Sequence, residues 1–336
     1  MSTSSISEYS ASIDTPQMIK ANMLKGGQPV KKNGRLTKYA GGFCVVYPYE
    51  TATKKYAVRC WHVGVEDIRQ RTKRISDTLK STNLPYFVGF EFVTEGILTA
   101  QGPQDIVVMD WVNGNPLKTY IAKNISNPQR LVELANAFKK MVVELHSLHI
   151  AHGDLQHGNI LVDDNGNIVL VDYDSIYVPA LSGYSDDIKG LVGYQHPSRW
   201  ENETLNEKVD YFSELIIYTS LVALSKYPNL WFELNLEDTE TLLFSADDIS
   251  SKGRSNIFQL LLLDSELKLL ATKLKEYLNK DNINDLEPLE KAIIDPKDKV
   301  AKELSGEWED NGYEPKTQSQ NHFNEITQTV RSEWNK

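Results

Sequence analysis

Cysteine is scarce: Cys44 and Cys60 are the only two in 336 residues. Two thiols cannot build the disulfide framework of a small secreted domain, so they read as reduced, half-buried side chains of a cytoplasmic protein. A bilayer span needs about 20 apolar residues. The longest apolar run, Phe212–Leu224, is shorter and contains Glu214, so it reads as a buried helix. Basic charge is in deficit, with 36 Lys and Arg against 46 Asp and Glu, a net charge of −10. That argues against a nucleic-acid partner or an anionic membrane surface, both of which need basic faces. The N-terminal stretch MSTSSISEYSASIDTP has no basic leader and no apolar core, so it does not read as a secretory signal. No internal repeat is visible.

Apolar residues make up 40% of the chain, enough for a sizeable core. The length suggests two domains, or one domain with two lobes. Residues 1–17 read as a flexible leader. From 18 to 112 the signals are mostly those of strands. GGFCVVYPY and KKYAVRCW, separated by Glu50-Thr51-Ala52-Thr53, read as a hairpin. Symmetric pairing would bring Cys44 and Cys60 near each other on adjacent strands. Glu66–Ser81 reads as a charged helix with an apolar stripe at Ile68, Ile75 and Leu79. PYFVGFEFV and QDIVVMDWV supply further strands. From 113 to 294 the pattern is mostly helical. Asn127-Pro128 reads as an N-cap and first-turn pair. Leu131, Leu134, Phe138, Met141, Val142, Leu145 and Leu148 then recur at helical period. Residues 295–336 are polar with few aliphatics and read as a disordered tail. Trp308, Tyr313, Phe323 and Trp334 within it are either incidental or a means of docking on the body of the protein or on a partner.

The densest chemistry lies in HGDLQHGNILVDDNGNIVLVDYD, His152 to Asp174. NILV and IVLV flank Asp163-Asp164-Asn165-Gly166-Asn167, and Asn-Gly between β-branched runs is a hairpin signal. Folding back brings Asn159 and Asp172 to one end, with Asp154 in the entering loop. Asn and Asp oxygens are hard ligands suited to Mg²⁺. A third carboxylate nearby can orient a hydroxyl and accept its proton. Phosphoryl transfer needs this set, because it relies on positioning and charge neutralisation. The alternatives are a turn-rich hairpin with solvated acids and a transition-metal site from His152, Asp154 and His157.

These residues resemble the protein-kinase-like superfamily, of a divergent, bacterial-type Ser/Thr kind. His152-Gly153-Asp154-Leu155-Gln156-His157-Gly158-Asn159 is similar to the catalytic loop H-R-D-L-x-x-x-N, and Asp172-Tyr173-Asp174 stands where D-F-G is expected. The resemblance implies an α+β bilobal fold, with a small antiparallel sheet carrying one main helix over a larger helical lobe. It implies Asp154 as catalytic base, His152 as the buttress of its loop, and Asn159 and Asp172 as Mg²⁺ ligands. Met109-Asp110-Trp111-Val112-Asn113-Gly114 resembles the gatekeeper and hinge, where the backbone of Asp110 and Val112 would bond adenine. Gly41, Gly42, Val46, Ala57, Arg59, Met109 and Leu161 complete the ATP site that it implies. Gly193-Tyr194-Gln195-His196-Pro197 resembles the end of an activation segment. Asp210-Tyr211-Phe212-Ser213 resembles the start of a buried helix whose Asp anchors the catalytic loop.

Several positions depart from the pattern. Arg59 replaces the strand lysine, a swap that is not neutral because its head is broad and planar. Its acidic partner is expected about 18 residues on, at Asp77, with Glu66 and Asp67 as competitors. Lys38 is an alternative phosphate contact. Tyr39 and Cys44 stand where the first and third glycines of the glycine-rich loop belong. Gly153 replaces an arginine that reads a phosphate on the activation segment, so no such phosphorylation is expected. Gln156 replaces a lysine that contacts the transferred phosphate, Leu191 a threonine that contacts the base, and Ser198 the glutamate of A-P-E. The expected function is ATP- and Mg²⁺-dependent phosphoryl transfer of the kind that Ser/Thr protein kinases carry out, to a protein substrate. The alternatives are a pseudokinase or nucleotide-gated binding module, and a kinase with a small-molecule acceptor.

Overall fold

The computed structural model describes residues 4–64 and 67–294. Glu66 and the segment 295–336, with its four aromatics, lie outside the described residues. An N-terminal helix, α1 (Ile6–Ile13), precedes a six-stranded antiparallel sheet. The sheet comprises β1 (Gln28–Pro29), β2 (Tyr39–Ala40), β3 (Cys44–Glu50), β4 (Lys55–Trp61), β5 (Phe90–Thr99) and β6 (Gly102–Asp110). Helix α2 (Ile68–Thr82) lies between β4 and β5 in sequence. The spatial order is β1-β3-β4-β6-β5, with β2 paired to β3. The expected hairpin is present, in register from Cys44↔Trp61 to Glu50↔Lys55.

That register offsets Cys44 from Cys60 by one residue, since Val45 is the partner of Cys60. Successive side chains face opposite sides of a strand, so the two thiols lie on opposite faces of the sheet. Both are free; Cys60 is fully buried and only Cys44 is half-buried as expected.

The described part of the N-terminal segment, residues 4–17, does not form a flexible leader. Ser5 accepts from Glu8 N–H and Glu8 accepts from Ser5 N–H, a reciprocal cap that starts α1. Tyr9 and Ile13, four residues apart, share one face and are buried with Val45, Tyr47, Val58, Cys60 and Ile106. Burying each stabilises by about 1.5–3 kcal/mol. The strands are apolar on both faces, so the sheet needs a cover on each side. Helix α1 covers one, and α2 with the helical region covers the other.

The helical region opens with a two-residue strand, β7 (Asn115–Pro116), then α3 (Leu117–Asn124) and α4 (Pro128–Ser147). Helix α4 begins at Pro128 as expected, although Asn127 makes no side-chain cap hydrogen bond. The hairpin β8 (Ile160–Val162) and β9 (Ile168–Leu170) follows, and β8 also pairs with β7. Helix α5 (Tyr211–Lys226) is buried on every side from Tyr211 to Ser225. All-round apolarity of that kind makes a core helix. Two short helical stretches, Leu230–Glu233 and Ala246–Ser250, then lead to helices α6 (Asn256–Leu263), α7 (Leu267–Leu278) and α8 (Leu289–Ala292).

Candidate active site

The β8–β9 hairpin folds as its turn residues dictate. Asp163 accepts from the amides of Asn165 at 2.9 Å and Asn167 at 2.8 Å, and Gly166 takes φ 89°. At the open end, Val171 N–H donates to Asn159 O at 3.0 Å. Asn159 and Asp172 therefore leave the hairpin side by side. Asp172 has φ 67°, a left-handed conformation that a non-glycine residue holds only when its surroundings impose it.

The preceding loop hangs from α5. The carboxylate of Asp210, 1% exposed, accepts from His152 N–H and from Gly153 N–H at 2.9 Å. His152 Nε2 donates to Val171 O at 2.9 Å, which leaves Nδ1 to accept from Asp154 N–H at 3.4 Å. Gly153 has φ +79°, and a Cβ there would lie 2.1 Å from Ser175 O. No arginine fits at this position.

Asp154 has both carboxylate oxygens engaged. Leu191 N–H donates to Oδ1 at 2.8 Å, and Asn159 Nδ2 donates to Oδ2 at 2.9 Å. A backbone amide thus does what a threonine hydroxyl was expected to do. With its nitrogen turned toward Asp154, Asn159 spends a donor on that bond and keeps its side-chain oxygen as an acceptor. Burial raises the proton affinity of Asp154, opposed by the hydrogen bond from Leu191. Asp172 is 54% exposed at its side-chain atoms yet deep in the cleft. Desolvation there, and then repulsion from Asp174, raise its proton affinity; Arg59 opposes both.

Arg59 is buried, and its partner is neither Asp77 nor Asp67. Asp77 is exposed on the outer side of α2. Arg59 Nη2 instead donates to Asp174 Oδ2, and Nη1 lies 3.7 Å from Asp172 Oδ1. The inward side of α2 carries Arg71, whose Nη2 donates to Asp174 O at 3.2 Å. The acid has therefore moved from the helix to the third position of Asp172-Tyr173-Asp174. Asp174 is the residue that sequence reasoning missed. A charged side chain where a glycine is expected was the available signal. Lys38 is also removed from consideration: it reaches Ser10 Oγ on α1 at 3.4 Å, outside the cleft.

A cavity of about 380 Å³ lies between the sheet and the β8–β9 hairpin. Gly41, Val46, Ala57, Arg59, Met109, Asp110, Val112, Leu161 and Asp172 line it, together with Cys44 and Val88. Gly42 is exposed and does not line it. Asp110 N–H donates to Gly89 O at 2.9 Å, and Trp111 N–H donates to Lys55 O at 3.1 Å, on the other side of the chain. The glycine loop is a tight hairpin closed by Gly41 N–H to Cys44 O at 2.9 Å. Gln156 accepts from Gly158 N–H at 2.6 Å, so it stays within its own loop.

A two-lobed arrangement around an apolar cleft that Asp172 lines, with Asn159 and Asp154 hydrogen-bonded to each other beside it, is a bilobal kinase-like class of fold. The family profile described as "Protein kinase domain" matches residues 40–280, and the chain belongs to that family. It is 28% identical over 163 residues to cAMP-dependent protein kinase type 3 of Saccharomyces cerevisiae, covering 47% of this chain and 40% of that protein. It is 33% identical over 108 residues to human ribosomal protein S6 kinase alpha-3, covering 31% of this chain and 14% of that protein. It is 27% identical over 121 residues to the serine/threonine-protein kinase PrkC of Bacillus subtilis, covering 34% and 18% respectively. The chain thus spans less than half the length of these relatives.

Proposed function

We propose that the chain is an ATP- and Mg²⁺-dependent kinase that transfers phosphate to Ser or Thr hydroxyls of a protein. The observation that carries this reading is an apolar cavity lined by Arg59 and Asp172, beside which Asn159 leaves the same hairpin end as Asp172 and bonds Asp154. The residues suit both groups. Val46, Ala57, Val88, Met109 and Leu161 offer apolar surfaces for a planar base, in a volume typical of ligand sites. Arg59 Nε is buried and has no hydrogen-bond partner among the described residues, a donor that an anionic ligand would satisfy. Asn159 and Asp172 would hold Mg²⁺ through hard oxygens. When bound, Mg²⁺·ATP supplies the phosphoryl group and neutralises its developing charge.

The chain's own residues supply position and proton transfer. Asp154, its proton affinity raised by burial, orients the acceptor hydroxyl and takes its proton. Asp210 and His152 hold the backbone amides that lead into that base. The test is transfer of labelled phosphate from Mg²⁺·ATP to a general protein substrate, beside Asp154→Asn and Asp172→Asn. Transfer by the wild type that falls at least 100-fold in both variants supports the reading. Thermal stabilisation by Mg²⁺·ATP with no transfer to protein would favour a pseudokinase or a small-molecule acceptor.

A further inference from the structure

One buried charge pair has no part in the site as described. Arg199, which follows His196-Pro197-Ser198, is fully buried, and the Asp186 carboxylate is 1% exposed. A buried guanidinium is tolerated only when its donors are matched. Here all are taken. Nε and Nη2 form a fork on Asp186 at 3.1 and 3.0 Å, and Nη2 also reaches Ile188 O at 3.4 Å. Nη1 donates to Gly153 O at 2.6 Å and to Gln195 Oε1 at 2.5 Å. Asp186 is likewise saturated, accepting from Asn202 Nδ2 at 3.0 Å with Lys189 Nζ at 3.5 Å.

The consequence concerns the peptide that carries the base. Gly153 N–H is held by Asp210 and Gly153 O by Arg199, so the link between His152 and Asp154 is gripped from both sides. Five residues beyond Asp186, Leu191 N–H meets Asp154 Oδ1. Gly190, at φ +78°, lets the backbone pass so close that a Cβ would lie 2.6 Å from that same oxygen. The stretch 186–191 is therefore tied to the catalytic loop at both ends, once through Arg199 and once through Leu191. A planar fork can hold a carboxylate and a carbonyl together, whereas a lysine is a point charge and cannot reach both.

We propose that Arg199 is a positioning residue for Asp154, and that its buried pair with Asp186 holds the segment 186–191 over the catalytic loop without a covalent phosphate. This rests on the kinase reading above. The test compares wild type with Arg199→Lys and Asp186→Asn, each checked for folding by circular dichroism. In both variants kcat is expected to fall at least tenfold while the KM for ATP stays within twofold. Amide hydrogen exchange at Gly153 and Leu191 is expected to quicken at least tenfold, whether or not phosphate is transferred. Phosphatase treatment of the wild type should leave kcat within twofold. Unchanged exchange at both amides in folded variants would overturn the clamp, even for a wild type that transfers nothing. Loss of activity on phosphatase treatment would overturn its independence of phosphate. A wild type without transfer, but with the expected change in exchange, would sink the kinase reading and leave the clamp standing.

Discussion

Replacing Asp174 by Asn tests whether the counter-ion of Arg59 has moved off the helix. Asparagine keeps the shape and one acceptor oxygen but removes the charge. Two unit charges about 4 Å apart attract by about 4 kcal/mol at the effective dielectric of protein sites, an upper bound before desolvation is counted. Stranding one member of a buried pair typically costs about 3–5 kcal/mol. Asp174 is 23% exposed, and Asp172 stays within 3.7 Å of Arg59, so the loss belongs below that range, at about 2–3 kcal/mol. Urea unfolding of wild type, Asp174→Asn, Arg59→Met and the double variant measures it. The cycle should return a coupling of at least ~1.5 kcal/mol, because contacting residues couple while independent ones add within about 0.5 kcal/mol. Asp77→Asn, at an exposed position, should change stability by no more than about 0.5 kcal/mol. An additive cycle, or an Asp77 effect as large as that of Asp174, would refute the relocated pair.

Gly153→Ala should abolish transfer and lower stability by more than about 3 kcal/mol, measured by unfolding, because the added Cβ meets Ser175 O at 2.1 Å and the backbone is left-handed. His146 supplies a pH prediction. On α4 it bridges Glu214 Oε1 at 2.9 Å and Glu290 Oε2 at 2.8 Å. Burial opposes its charge, but the two carboxylates win and push its pKa up to about 10. Its ordinary value is 6.5, and burial raises Glu214 to about 7, so the charged pair is intact from about pH 7 and its stabilisation fades as pH rises through 10. Between those limits the unfolded state binds fewer protons, and stability should fall by up to ~1.4 kcal/mol per pH unit. Denaturation midpoints from pH 7 to 10 should show that slope in wild type and a flatter one in His146→Gln; equal slopes would remove His146 from the account.

Local chemistry determined much of this molecule. Asn165-Gly166 between β-branched runs dictates a tight hairpin, and a hairpin of that length brings Asn159 and Asp172 to one end whatever surrounds it. The strand pair around 50–54, the helix beginning at Pro128 and the all-round apolar helix from Tyr211 were legible for the same reason, since period and turn residues act over a few positions. The N-terminal segment was misread because Ser and Thr suggest disorder by composition. Its order comes from the Ser5–Glu8 cap and from a sheet face that Tyr9 and Ile13 cover, and that face exists only once the strands pair. Counting residues from Arg59 pointed to Asp77, but sequence separation does not say which way a helical side chain turns; only packing against the sheet decided that Arg71 faces inward and Asp77 faces water. Long-range pairs were decided entirely by the tertiary fold. Arg59 meets Asp174 across 115 positions, and Arg199 meets Gly153 across 46. Burial turns ordinary charges into determinants of structure, because a charge taken out of water must find its partner wherever the chain has brought one.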